Sequence, residues 1–571
     1  MQVKQRVPGR FALGIGDLFI GLALAAFLYL GVRLASGVPA QFAGPEIVLD
    51  PAALPYYNLR SLLRMAAAYL LSLLFTLAYG YAAARNRRAE AILIPTLDVL
   101  QSVPILSFLP VVVLALIALV PGELGLELAA IILIFTSQVW NMTFAFYHAL
   151  ITIPKEMMEA ARVFRLNLWL RFKSVELPFA TIGLVWNSMM SWAGGWFFLM
   201  AAEQFQLGDR NFQLPGLGSY LKTAAEAGNI AALLIGLGVL VGLIVALHLF
   251  VWQPLIAWAD KFNLQTVEQA APPRSWVLNL LSRSAILELM NRRLFSPLTE
   301  GMDRGLGRLA AGEEGARRTN HGRLLGALGW VSLALLMVGV VYGGVRAIGI
   351  LTELEAGQWA LILVAAGATF LRVLVALAIA VAWTLPVGVA IGTNPHLASR
   401  LLPVVQVTAA VPATALFPVL LLLLIGLTGG LNLAAVLLML LGTQWYLLFN
   451  VIAGAMAIPE DLKYTTQSLG ITGLERWRSF ILPAIFPYLV TGLITATGGA
   501  WNASIVAEYV VFDAVTYRTL GLGALIASSS AAAEFPLLLA STLTMVVVVV
   551  AINRLLWRRL YALAESRFHL D

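Results

Sequence analysis

The sequence predicts an all-α polytopic membrane protein with about 12 transmembrane helices, arranged as two parallel six-helix repeats. Three observations predict it: an apolar excess, an alternation of charged loops, and an internal repeat. Of the 571 residues, 60% are hydrophobic, against roughly 45 to 50% in soluble globular domains. Only 12% are charged, and they cluster between long apolar runs, which marks loops and excludes an ordinary soluble enzyme. The 37 Lys and Arg exceed the 30 Asp and Glu, giving a net charge of +7; in a membrane chain that surplus belongs to cytoplasmic loops and not to nucleic acid. With no Cys, and with five His at no metal-ligand spacing, neither thiol chemistry nor a bound metal is expected.

A spanning helix needs about 20 mostly apolar residues. Twelve stretches qualify: 11–32, 62–84, 92–119, 126–150, 178–202 and 230–258, then six more starting near Leu324, Trp359, Leu401, Leu431, Ala484 and Phe535. Asp17 interrupts the first, and no convincing small-residue cleavage site follows it, so it is expected to stay in the mature protein. Basic residues near a span stay cytoplasmic. Lys4, Arg6 and Arg10, then Arg85, Arg87 and Arg88, then Lys155, Arg162, Arg165, Arg171 and Lys173 alternate with loops 35–58 and 121–125, which hold no Lys or Arg; Arg210 and Lys222 dilute the pattern. Both termini are therefore expected in the cytoplasm. The stretch from Lys261 to Arg323 holds ten Lys and Arg plus Pro272 and Pro273. It divides the chain into a first repeat at 1–260, a cytoplasmic linker at 261–322 and a second repeat at 323–571.

The halves repeat each other. Arg64, Thr76, Gly80, Pro95, Pro104 and Pro110 recur as Arg372, Thr384, Gly388, Pro403, Pro412 and Pro418, each displaced by 308. Trp140, Pro154, Leu177, Pro178, Trp196, Glu203 and Gly216-Leu217-Gly218 recur as Trp445, Pro459, Leu482, Pro483, Trp501, Glu508 and Gly521-Leu522-Gly523, displaced by 305. An even number of spans per half makes the repeats parallel, with the natural site at their seam. Recurring prolines predict that the third and ninth spans bend, because proline removes a backbone donor inside the helix.

Between the fourth and fifth spans stand Glu159-Ala160-Ala161, three residues, Arg165, nine residues, then Val175-Glu176-Leu177-Pro178. The second half has Tyr464-Thr465-Thr466, three residues, Gly470, nine residues, then Phe480-Ile481-Leu482-Pro483. Both frames resemble the cytoplasmic coupling-loop signature of binding-protein-dependent ABC importer permeases: Glu-Ala-Ala, three residues, Gly, nine residues, Ile, any residue, Leu-Pro. Arg165 replaces the glycine in one copy, and Tyr464 replaces the acid in the other. The run from Ile94 to Pro104, followed by Pro110, and its copy from Leu402 to Pro412, followed by Pro418, resemble the nitrate, sulfonate, taurine and bicarbonate branch. The resemblance implies a type I ABC importer permease fold, with two permease units fused in one chain and coupling helices at about 154–176 and 459–481. It also implies two ABC ATPase subunits on the cytoplasmic face, a solute-binding protein outside, and ATP with Mg used only through the partner ATPases. The chain itself holds no Gly-x4-Gly-Lys-Ser/Thr phosphate loop, so it is read as a transport subunit with no catalytic residue, cofactor or metal of its own.

Glu159, Ala160, Ala161, Arg165, Leu177, Pro178, Tyr464, Gly470, Leu482 and Pro483 are the expected coupling residues. Polar residues in spans are candidates for a path or a gate. Thr136, Gln138, Asn187, Thr443, Gln444 and Asn502 can line a path or bond between helices. Glu203 and Glu508 lie 25 residues past Pro178 and Pro483, about 37 Å along a helix, which suits an outer gate or loop anchor. Arg64 and Arg372 are expected to snorkel to water, and Trp192, Trp196 and Trp501 to pack or anchor. Two rivals stand beside the importer: an ion-gradient-driven secondary transporter, which leaves the paired coupling frames unexplained, and a non-transporting membrane scaffold derived from a permease.

Overall fold

The computed structural model describes residues 45–262 except 103, 121, 208 and 209, residues 275–284, 300, 301, 303 and 337–567, and six residues between 22 and 30. The expected span at 11–32, most of the linker, and the start of the seventh span near Leu324 therefore lie outside the described residues.

In the first half the chain forms α1 (Leu54–Arg85), α2 (Arg87–Ser102), α3 (Leu109–Leu119), α4 (Glu123–Ile151), the short α5 (Lys155–Val163) and α6 (Leu177–Glu203). A hairpin follows, β1 (Gln204–Leu207) with β2 (Arg210–Gln213), then α7 (Leu217–Glu226) and α8 (Ile230–Leu247). The second half repeats this order as α9 (Ala356–Thr393), α10 (Pro395–Ala410), α11 (Ala413–Leu424), α12 (Gly430–Met456), α13 (Glu460–Ser468), α14 (Leu482–Ala507), β3 (Tyr509–Phe512), β4 (Val515–Arg518), α15 (Leu522–Ala531) and α16 (Phe535–Ile552). π-helical turns recur at matching places, Phe172–Glu176 with Trp477–Ile481 and His248–Trp252 with Asn553–Trp557.

Among the described residues, seven helices are long and apolar enough to cross a membrane, and the bent pair α10–α11 makes eight. The chain is thus a polytopic all-α membrane protein with two short hairpins. The third span of each half is broken. α10 and α11 meet at 80°, and α2 is separated from α3 by a 3-10 turn, Ile105–Phe108. The break falls at Pro104 and Pro412, which precede the new turns, whereas Pro95 and Pro403 sit inside continuous helices.

Broad apolar faces of α1 and α9 stay uncovered, with Leu63, Leu70, Leu74, Leu363, Val364 and Leu371 all more than half exposed. In water such a surface is untenable; against lipid it costs nothing. The opposite faces pack α1 on α4, α4 on α6, and likewise α9 on α12 and α12 on α14. The equivalent Trp196 and Trp501 are completely buried in the core these helices form.

Candidate functional site

Each coupling frame is a short helix, a turn and the foot of the next span. The stretch 154–176 is not one helix: α5 ends at Val163, a single turn covers Leu168–Arg171, and a π turn leads into α6. Both copies close α5 and α13 with the same bonds. The Leu166 N–H donates to the Ala161 carbonyl and the Arg165 N–H to that of Arg162, matched by Ile471 to Thr466 and Gly470 to Gln467. Arg165 and Gly470 hold φ of 49° and 67°, so both occupy the left-handed region in which a side chain is strained. Ala161 and Thr466 are buried against the bundle, whereas Glu159, Ala160 and Tyr464 face out. Val163, Phe164, Leu469 and Leu474 are all more than two-thirds exposed. Each loop therefore presents an apolar knob. Leu177, Pro178, Leu482 and Pro483 are half-buried at the feet of α6 and α14.

Glu176 escaped the list of sequence candidates because the motif leaves its position free. It is fully buried and accepts from Arg85 and, at 2.7 Å, from Arg171 Nε. The second copy has Ile481 there and leaves the buried Nε of Arg476 without a partner among the described residues. Asp303, from the linker, accepts from Trp169 Nε1 at 2.8 Å and Lys173 Nζ at 2.5 Å. These bonds hold its carboxyl below the usual range. The linker thus touches the first loop's foot.

At the far ends of α6 and α14 the sequence candidates Glu203 and Glu508 build matching locks. Glu203 accepts from Ser61 Oγ at 2.5 Å, Arg64 Nη1 at 2.7 Å and the Gly218 N–H at 2.6 Å. Glu508 accepts from Thr369 Oγ1 at 2.8 Å, Arg372 Nη1 at 2.8 Å and the Gly523 N–H at 2.9 Å. Ser61 Oγ in turn receives the Leu217 N–H, and Thr369 Oγ1 the Leu522 N–H. Each carboxylate thus caps the start of α7 or α15, a position that favours negative charge. A Cβ on Gly216 or Gly521 would run into that carboxylate, which accounts for the repeated Gly-Leu-Gly. Arg64 does not snorkel: it is 2% exposed and also pairs with Glu127 at 2.6 Å. Arg372 instead meets Asn432 Oδ1 at 2.7 Å. Neither arginine was expected to bind these glutamates, because the partners lie some 140 residues apart.

The tip of the β3–β4 hairpin crosses to the other half. The Asp513 and Ala514 N–H groups donate to the Ala225 and Glu226 carbonyls at 3.0 and 2.9 Å, capping the last turn of α7. Both hairpins therefore lie at one end of the bundle. α6 has 27 residues and α14 has 26, about 40 Å at 1.5 Å per residue, so both coupling loops lie together at the other end.

Between these ends, a partly open cavity of ≈ 80 Å³ lies at the seam, lined by α6, α12, α14 and the α10–α11 break, including Pro412 and Asn502. Asn502 Oδ1 accepts the Leu106 N–H at 3.3 Å, so the second half satisfies a donor freed by the break in the first. The other path candidates turn inward. Thr136, Asn187 and Thr443 bond carbonyls on their own helices. Gln444 accepts from Trp383 Nε1 at 3.0 Å, and Gln138 is completely buried with neither end of its amide partnered among the described residues. None of those five lines the seam cavity.

The model of the binding-protein-dependent transport system inner membrane component matches residues 58–261 and again 384–569. The chain belongs to that family. It carries two permease units in one polypeptide, matching the two repeats. Similar proteins include the nitrate import permease protein NrtB of Synechococcus elongatus, 29% identical over 22% of this chain and 44% of that one. The taurine transport system permease protein TauC of Escherichia coli is 28% identical over 28% and 55%, and the bicarbonate transport system permease protein CmpB of Synechocystis is 31% identical over 22% and 43%. The chain spans about half the length of the curated relatives it matches. Membership makes the chain an inner-membrane component of a transport system.

Proposed function

We propose that the chain, with its two permease units, forms the membrane path of an ABC importer, moving a small solute inward with ATP and Mg used by two separate ATPase subunits. The loop end is the cytoplasmic face, where α5 and α13 seat in the ATPases. The hairpin end faces outward, where a solute-binding protein delivers cargo. Both termini lie in the cytoplasm. Named relatives carry nitrate, taurine and bicarbonate, which makes anions, sulfonates among them, the first class to try.

One observation carries the reading: two exposed apolar knobs, built on the same backbone bonds, stand at one end of a duplicated bundle. Knobs on a common face can be drawn together by one partner pair, and the long rigid helices α6 and α14 transmit that motion to the seam. Glu159 suits an ion pair with a basic groove residue, and Tyr464 cannot form one, so the two contacts are unequal. In proteoliposomes with the co-purified ATPase, Glu159→Lys is expected to lower uptake per ATP more than Tyr464→Lys. Equal effects overturn the asymmetry. Absence of ATP-dependent uptake for every solute tried favours a scaffold, and uptake driven by an ion gradient alone favours a secondary transporter.

A further inference from the structure

We infer that Glu176 is a positioning residue of the first coupling loop: it pins that loop to α1, so the first half passes on a displacement of the loop as one body. The second half has no such pin and bends at its foot. The inference rests on the permease reading for its part in transport.

A push on a coupling loop reaches the seam only through elements that are fixed to it. The Glu176 carboxylate stands where the π turn enters α6, is fully buried, and accepts from Arg171 Nε of the loop at 2.7 Å and from Arg85 at the end of α1. At the other end of the same two helices, Arg64 of α1 holds Glu203 of α6 at 2.7 Å. The two arginines lie about 30 Å apart along α1 at 1.5 Å per residue. Helices joined at both ends by charge-assisted bonds cannot splay without breaking one of them.

The second half keeps one pin and lacks the other. Arg372 of α9 holds Glu508 at the end of α14 at 2.8 Å, but at the loop end Thr393 stands in the position of Arg85 and Ile481 in that of Glu176. Thr393 Oγ1 bonds the Val389 carbonyl on its own helix, and Arg476, the counterpart of Arg171, keeps a buried Nε without a partner among the described residues. The linker adds to the contrast. Trp169 donates to Asp303, whereas Leu474 in its place is 73% exposed.

The pin can be removed without unfolding the foot. The side chains of Arg85 and Arg171 are 26% and 23% exposed, so on losing Glu176 they reach water and no buried cation is stranded. Glu176→Ile copies the second half, and Arg85→Thr does so from the other side while sparing the Arg171 bond.

The test measures spin-label distances by double electron–electron resonance on the full-length chain in nanodiscs, without any ATPase. Labels are placed at Ala82→Cys with Phe164→Cys for the first half and at the matching Ala390→Cys with Leu469→Cys for the second, all exposed positions. The first distribution is expected to be the narrower, and Glu176→Ile and Arg85→Thr each to broaden it to the width of the second. Equal widths in the two unsubstituted halves, or no broadening by Arg85→Thr, overturn the pin. In proteoliposomes with the co-purified ATPase, Arg85→Thr is expected to lower uptake per ATP at least about 5-fold, the lower end of ordinary coupling between sites. A role in folding alone would lower the amount of complex and leave that ratio unchanged, and an unchanged ratio overturns the part in coupling. Absence of ATP-dependent uptake by the unsubstituted complex overturns the permease reading instead, and the label distances still decide the pin.

Discussion

Arg165 occupies a left-handed turn that its counterpart Gly470 fills without cost. A non-glycine residue there is disfavoured by roughly 1–2 kcal/mol, offset in part by the flexibility glycine adds to the unfolded chain. Arg165→Gly is therefore expected to stabilise the full chain by about 1 kcal/mol, and Gly470→Arg to destabilise it by about as much, read from thermal unfolding in detergent. Opposite signs would mean that the arginine side chain holds the turn. The glutamate locks make a second comparison. Arg64 keeps Glu127 when Glu203 is neutralised, whereas Arg372 is left with the uncharged Asn432 when Glu508 is neutralised. Glu508 is the only charged partner of the largely buried Arg372 among the described residues, and removing one member of a buried pair costs about 3 kcal/mol. Glu508→Gln is thus expected to cost about 3 kcal/mol and Glu203→Gln about half of that by the same measurement.

Elements were legible where a local pattern dictates them. Apolar runs and loop charges marked the spans, and recurring prolines marked the bent third span of each half. Which proline breaks the helix was not legible. Pro95 and Pro403 stay within helices, whereas Pro104 and Pro412 start new turns. The repair of the break by Asn502 joins residues 396 apart in sequence, and no short-range signal reports such a contact. The same reason hid the Arg64–Glu203 pair, although the recurrence of both residues in the repeat held the clue. Asn502→Leu leaves the Leu106 N–H unpaired at the seam, and is expected to cost about 1–3 kcal/mol, seen as faster proteolysis at the break between α2 and α3. Glu176 shows the limit of motif reading, since a position left open by a pattern can still hold a buried ion pair.

At the scale of the whole molecule, two halves meet as one body with loops at one end and hairpins at the other. The proposed import cycle requires the hairpin end to part, and the bonds from Asp513 and Ala514 join it to the end of α7. The chain has no Cys, so Ala225→Cys with Asp513→Cys gives a clean crosslinking pair. Oxidation is expected to join them and stop uptake, with recovery on reduction; undiminished uptake in the joined protein would mean that this end stays shut throughout the cycle. That clasp is built from main-chain atoms, so only proline at 513 or 514 would remove its donors. Side chains at the tip of that hairpin can therefore change, proline apart, without removing the bonds that fasten one half to the other.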